Sequence, residues 1–433
     1  MLRKTGRFRS KLDQLAYFLF QFPVLTCAAR TMFQLGSEHM KKLLLASATL
    51  ALTAGGAFAD EVKLGISLGF TGPLESMSPA MAQGAELAMK EVSDSGKFMG
   101  GATVVGVRGD STCIDSAAAS ATVEKLITAD GVKGIVGGMC SGETVASLQN
   151  VAMPKGVVMI SPSATSPALS TLEDNGLFFR TSPSDARQSE VMTDIIMEHG
   201  IKSVALTYTN NDYGKGLADS FAAAFEAKGG KVTINAAHDD GKPDYSAEVA
   251  SLASAGGEAL VIAGYVDQGG SGILRGALDT GAFSTFVFPD GMVGGKLETD
   301  FGKEVNGSFG QMPSSEGEGK DKFLAAATAA GFDGTGVYSG EAYDAASLIL
   351  LSMAAANSTD PAVYKGKVMD VANAPGEKIL PGELGKALDL IAAGQDIDYQ
   401  GATSVELIGA GESAGTFREI EIKDDKIETV KYR

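Results

Sequence analysis

Residues 137–167 read GGMCSGETVASLQNVAMPKGVVMISPSATSP and hold two strand-to-helix junctions in tandem. The apolar run Gly134–Gly137 ends in Cys140-Ser141-Gly142, after which Val145, Leu148 and Val151/Ala152 recur at helical spacing. The run Val157–Ile160 ends in Ser161-Pro-Ser-Ala-Thr165, and Ser166-Pro167 supply a cap and a first-turn proline for a further helix. Short buried strands that open at their carboxyl ends into hydroxyl-rich loops predict a parallel α/β fold. They also predict a place for a small anion, because backbone N–H groups and helix N-termini point into such loops. Taken singly, Ser141, Ser163 and Thr165 read as helix caps. Clustered on adjacent strand ends they read as the grip on a ligand carboxylate, and the two roles coexist.

Outward from this stretch the chain alternates strands and helices in two series. Expected strands in the first are Val62–Leu68, Thr103–Val107 and Leu177–Arg180, with helices from about Met81 to Val92 and over Ile114–Ala129. The second series starts at Ser182, with a helix over Gln188–Glu198 and strands at Ser203–Tyr208, Lys231–Ala237, Ala259–Tyr265 and finally Thr285–Phe288. A long helix, Gly340–Ala355, follows. The fold class expected is α/β: two Rossmann-like lobes with parallel sheets, joined by a multi-strand hinge. One lobe takes 60–181 plus 313–408, the other 182–312 plus 409–433.

Composition narrows the function. The 433 residues carry a net charge of −17, and the first 59 are basic, so the acidity lies in the remainder. Such a body repels nucleic acid and anionic membranes. Three histidines and three cysteines, with no CxxC or HExxH spacing, argue against a zinc enzyme or a Ser-His-Asp hydrolase. His238-Asp239-Asp240 reads as a solvated turn rather than a metal loop. Gly270-Ser-Gly-Ile-Leu-Arg-Gly276 misses the dinucleotide fingerprint by one residue, and no phosphate-binding GxxxxGK[ST] occurs. No cofactor, no metal and no catalytic residue is expected.

Met40-Lys41-Lys42, the apolar Leu43–Leu52 and Ala57-Phe58-Ala59 follow the order of a secretory signal peptide cleaved near Ala59. Residues 1–39 then read as a mis-assigned upstream extension. A lipid anchor at Cys27 is rejected, because Val24-Leu25-Thr26 lacks the small residue such a site needs. In an oxidising compartment Cys113 and Cys140, each following an expected strand, can pair; two buried free thiols are the alternative.

Tyr213, Tyr265 and Asp290 stand at strand ends of the second series. Packing explains such tyrosines and an Asx turn explains such an aspartate, unless all three face a cleft, where Asp290 would meet an ammonium group.

At these residues, from Val62 to the C-terminus, the chain resembles the leucine/isoleucine/valine-binding proteins, the type I periplasmic solute-binding family of ABC importers. The likeness is carried by Val62–Pro73, by Cys140-Ser141 with Cys113, and by Ile160-Ser-Pro-Ser-Ala-Thr165. It continues through Asp212-Tyr213-Gly-Lys-Gly-Leu-Ala218, Ala263-Gly-Tyr265 and Phe288-Pro-Asp-Gly291. The resemblance implies that Ser141, Ser163, Ala164 and Thr165 hold an α-carboxylate, partly through their main chain. It implies that Tyr213, Tyr265 and Asp290 meet the ligand from the second lobe, Asp290 at the α-ammonium, with Met77 lining the side-chain pocket. Two departures stand out: Asp290 replaces a glutamate, one methylene longer, and the pocket turn Leu74-Glu75-Ser76-Met77 has no aromatic residue. The implied role is a monomeric periplasmic binder that passes a branched-chain or other apolar amino acid to a membrane permease. A ligand sensor of the same fold, or a binder of amides, short peptides or aromatic acids, is the alternative.

Overall fold

Strand β1 (Glu61–Leu68) is buried along most of its length, as a central parallel strand must be. In the computed structural model, which describes residues 60–433, its Gly65 lies opposite Val107 of β2 (Thr103–Asp110) on one side. On the other side it faces Ile135 of β3 (Ile135–Gly137). β4 (Met159–Ser161) and β5 (Phe178–Arg180) extend the sheet, again parallel. The second series forms its own sheet from β6 (Ser203–Thr209), β7 (Lys231–His238), β8 (Ala259–Ala263), β9 (Phe286–Phe288) and β10 (Phe309–Pro313). β11 (Glu377–Ile379) and β12 (Ile397–Tyr399) pair apart from both. β13 (Leu407–Ile408) and β14 (Glu412–Ser413) return to the first sheet, whereas β15 (Phe417–Lys423) and β16 (Lys426–Tyr432) complete the second. The orders are β13-β14-β5-β4-β3-β1-β2 and β16-β15-β10-β9-β8-β6-β7, so each sheet has seven strands, the core ones parallel.

The chain therefore passes between sheets after β5, after β10 and after β14. Glu412 pairs with Arg180, which keeps the chain on the first sheet through Ser413, a few residues past the 408/409 boundary and within the stretch Gly409–Gly415 where the crossing is expected. The second series also does not end at Phe288. β10 was hidden by its glycine, glutamine and proline, and the β15–β16 hairpin offers only short polar–apolar alternation. His238 departs from its expected role too. It is buried, its Nδ1 lies 2.8 Å from the Thr207 hydroxyl, and burial pushes its pKa down to about 4, so it is a neutral core residue.

The helix Ser339–Ala356 is buried on nearly every face. Gly84 makes this possible in part, since a Cβ there would stand 2.2 Å from the Ser339 carbonyl oxygen. The close approach of helix Ser78–Ser95 fixes the start of the long helix, and with it Tyr338. Signal-peptide residues 40–59, the extension 1–39 and Cys27 lie outside the described residues.

Candidate functional site

The carboxyl ends of β3 and β4 are bound to each other by their own hydroxyls. Ser161 Oγ donates to the Gly138 carbonyl at 2.7 Å and accepts from Ser163 N at 3.2 Å and Ala164 N at 2.9 Å. Ser163 Oγ donates to the Met139 carbonyl at 2.8 Å, and Ser166 N donates to Ser141 Oγ at 3.0 Å. Beneath this lattice Arg180, fully buried at the end of β5, donates to the carbonyls of Ala164 and Ser166 at 3.0 and 2.9 Å. Its other nitrogen reaches Ser170 Oγ at 2.7 Å and pairs with Glu412 of β14. One guanidinium thus shapes the Ser163–Ser166 loop and ties it to the last passage between lobes. Burial pushes Glu143 up to about 7, although Met139 N, Cys140 N and Ser111 Oγ all donate to its Oε1. Cys113 and Cys140 form a disulfide with Cα atoms 5.1 Å apart, locking the loop after β2 against the Ser141–Ser147 helix.

From the second sheet, Asp290 follows β9 and is buried. Its Oδ1 accepts from Tyr213 Oη at 2.9 Å and from Gln188 Nε2 at 2.7 Å, while Oδ2 accepts from Tyr338 Oη at 2.7 Å. The rings of Tyr213 and Tyr265 stack with centroids 5.2 Å apart, and Asn211 Nδ2 donates to Tyr265 Oη at 3.2 Å. Burial, followed by the charge of Asp290, raises the phenols of Tyr213 and Tyr338 well above their ordinary range, so both remain donors.

The two halves meet. Leu74, Met77, Met139, Cys140, Ser141 and Ser163 on one side, with Tyr213, Tyr265, Asp290, Gly291 and Tyr338, line one narrow cavity of about 20 Å³. Its apolar lining includes Leu74, Met77 and Met139; its polar lining includes two serines, three tyrosines and one carboxylate. The structure thus gathers Met77, Ser141, Ser163, Tyr213, Tyr265 and Asp290 around a common space. Ala164 and Thr165 lie outside this lining. The Ala164 N–H is already committed to Ser161, and Thr165, buried, turns towards Asp185, whose N–H donates to the Thr165 carbonyl at 2.8 Å.

Sequence reasoning missed Tyr338 and Gln188. Gln188 had only the helical spacing of a buried face. Tyr338 carries a stronger signal in the backbone than in the sequence: φ is +61°, a left-handed conformation costly for an aromatic residue and held here by the helix it precedes. Among the described residues no cluster of His, Cys, Asp and Glu is arranged to hold a metal ion, and no helix is long and apolar enough to cross a membrane.

Known proteins resemble this chain in sequence and fold. The chain is similar to the leucine-, isoleucine-, valine-, threonine- and alanine-binding protein of Pseudomonas aeruginosa, 29% identical over 75% of this chain and 87% of that one. It is 30% identical to Leu/Ile/Val-binding protein homolog 1 of Brucella melitensis, over 74% of this chain and 86% of the relative. A branched-chain amino-acid transporter substrate-binding protein of Streptococcus pneumoniae, solved with isoleucine, superposes with a TM-score of 0.70. That match has 22% identity and covers 86% of this chain and 99% of that one. The model of the periplasmic binding protein family matches residues 61–370. With two hinged α/β lobes closing on one small cavity, the chain belongs to the periplasmic binding protein family.

Proposed function

We propose that the protein is the extracytoplasmic binding component of an ABC importer and captures a branched-chain or other apolar amino acid. One observation carries this reading: Ser141 and Ser163 from the first lobe and Asp290 from the second line the same cavity, together with Leu74, Met77 and Met139. A zwitterion stripped of water needs both its charges paired, because a buried unpaired charge costs several kcal/mol. Carboxylate donors on the first lobe and the acid on the second pair both charges only when the lobes are closed. Ligand binding therefore favours closure, and the closed surface is what a membrane permease would read.

Thr165 belongs to this site as support for the loop that presents Ser163, and Met77 as the apolar wall nearest the ligand side chain. The lobes are 60–181 with 313–413 and 182–312 with 414–433, the last crossing moved by the pairing of β14. Relatives named for leucine, isoleucine and valine support the ligand class. The mature chain starts near Asp60, is periplasmic and works as a monomer beside its permease. Calorimetry of residues 60–433 against the twenty amino acids and against benzoate tests the reading. At least one apolar amino acid is expected to bind with a Kd in the millimolar range or tighter, and benzoate not to bind. Binding of benzoate alone, or of no amino acid, would reject the proposal.

A further inference from the structure

Behind Asp290 lies a second buried acid that the amino-acid reading does not use. Asp185 is the first residue of helix Asp185–Glu198 and is fully buried; neither carboxylate oxygen has a hydrogen-bond partner among the described residues. The Thr165 hydroxyl stands near enough to ease its burial but does not reach it with hydrogen-bond geometry. One turn along the same helix, Gln188 donates to Asp290, so one helix turn links the two acids, and the charge of Asp290 is felt at Asp185.

Among the described residues the positive charge that bears on Asp185 is Arg180, and its donors are committed to Ala164, Ser166, Ser170 and Glu412. The remaining neighbours are Thr165, Gln188 and the hydroxyls of Tyr213, Tyr265 and Tyr338, all neutral. Three donors converge on Asp290 and none on Asp185. Hydrogen bonding to the charged form favours charge at Asp290, and two adjacent buried carboxylates do not both ionise without a cation. The proton therefore sits on Asp185.

We propose that Asp185 carries a proton in the ligand-free crevice, and that an ammonium-bearing ligand docking on Asp290 displaces that proton to solvent. The ligand's positive charge takes over the role of the proton: it relieves the Asp290 repulsion that adds to burial in keeping Asp185 neutral, and the carboxyl O–H ionises. Asp185 thereby acts through Asp290 as a selector for cationic ends. A carboxylate without an amine brings no charge to replace the proton and adds another negative one. This rests on the amino-acid reading above, and burial with the Asp290 charge, which together hold Asp185 well above the ordinary carboxylate range, agrees with it.

Two measurements on residues 60–433 separate this inference from that reading. The first is leucine titration at pH 7 by calorimetry in phosphate, HEPES and Tris, whose ionisation enthalpies differ. Between half and one proton is expected to be released per leucine bound, with release near zero in Asp185→Asn while leucine still binds. Leucine bound by the wild type with no proton released overturns the proposal and leaves the amino-acid reading intact. The second needs no ligand: in carboxyl-carbon NMR of aspartate-labelled, ligand-free protein, the signal lost in Asp185→Asn should titrate well above the ordinary carboxylate range, distinct from Asp344, which burial also raises. If the signal lost in Asp185→Asn titrates within the ordinary range, the proton is not on Asp185, whatever the protein binds.

Discussion

At the scale of single residues the site depends on one acid and its donors. Asp290→Ala removes the one carboxylate that lines the cavity among the described residues. Amino-acid affinity should fall at least a hundredfold by calorimetry, since a lost charged hydrogen bond together with a stranded ligand charge is worth about 3 kcal/mol or more. Tyr338→Phe deletes one of three donors to that carboxylate, and several-fold weakening, about 1 kcal/mol, is expected by the same titration. Equal affinity in Asp290→Ala would remove that residue from the ligand. Tyr213, Tyr265 and Asp290 were legible because each follows a short apolar strand, and parallel sheets put such residues at one edge. Tyr338 was not, because it arrives from a distant segment through the packing of a helix onto Gly84. Thr165 shows the limit of clustering: a hydroxyl in the right loop still turns whichever way its backbone sends it.

At the scale of elements, the loops between strand and helix are held by covalent and ionic ties. Replacing Cys113 and Cys140 together by serine should lower the urea unfolding free energy by about 3 kcal/mol, the usual worth of a loop this long. Arg180→Met strands two carbonyls and the partly buried Glu412, and a loss on the order of 3 kcal/mol is expected in the same assay, with weaker ligand binding because the Ser163–Ser166 loop loosens. An unchanged unfolding midpoint would show that the loop does not need the guanidinium. Strand positions could be read from sequence to within a residue or two wherever apolar residues run together, as at β1, β6 and β8. β10, whose FGQMP has no such run, could not. Its place is set by neighbours: β9 on one side and β15, from the far end of the chain, on the other.

At the scale of the molecule, buried acids set how stability follows pH. Burial raises Glu143 and Glu341 to about 7 and Asp344 to about 6. A carboxyl whose folded pKa lies above its unfolded value stabilises the fold most when both states are protonated, and that contribution fades as pH rises through the folded value. Glu198, held at about 2 by hydrogen bonds from Arg433 and Lys431, acts in the opposite sense: its contribution is present above the ordinary glutamate range and fades as pH falls below it. It is exposed, so its weight is small. The melting temperature should therefore peak near pH 5 and decline towards pH 8, with a shallower decline in Glu143→Gln. A melting temperature that rises from pH 5 to pH 8 would contradict this balance. The two-lobed plan was legible from two series of strands in one chain. The passages after β5 and β10 were legible as well, at 181/182 and 312/313; the last was read a few residues early at 408/409, since β13 and β14 are two residues each and pair only because β5 is there to receive them.

The most direct test of the clamp is a crystal structure of residues 60–433 grown with leucine. The account predicts the carboxylate within about 3 Å of donors on the Ser141 and Ser163 loops and the ammonium within the same distance of an Asp290 oxygen, both lobes closed around it. Leucine bound in the reverse orientation, or touching one lobe alone, would contradict it.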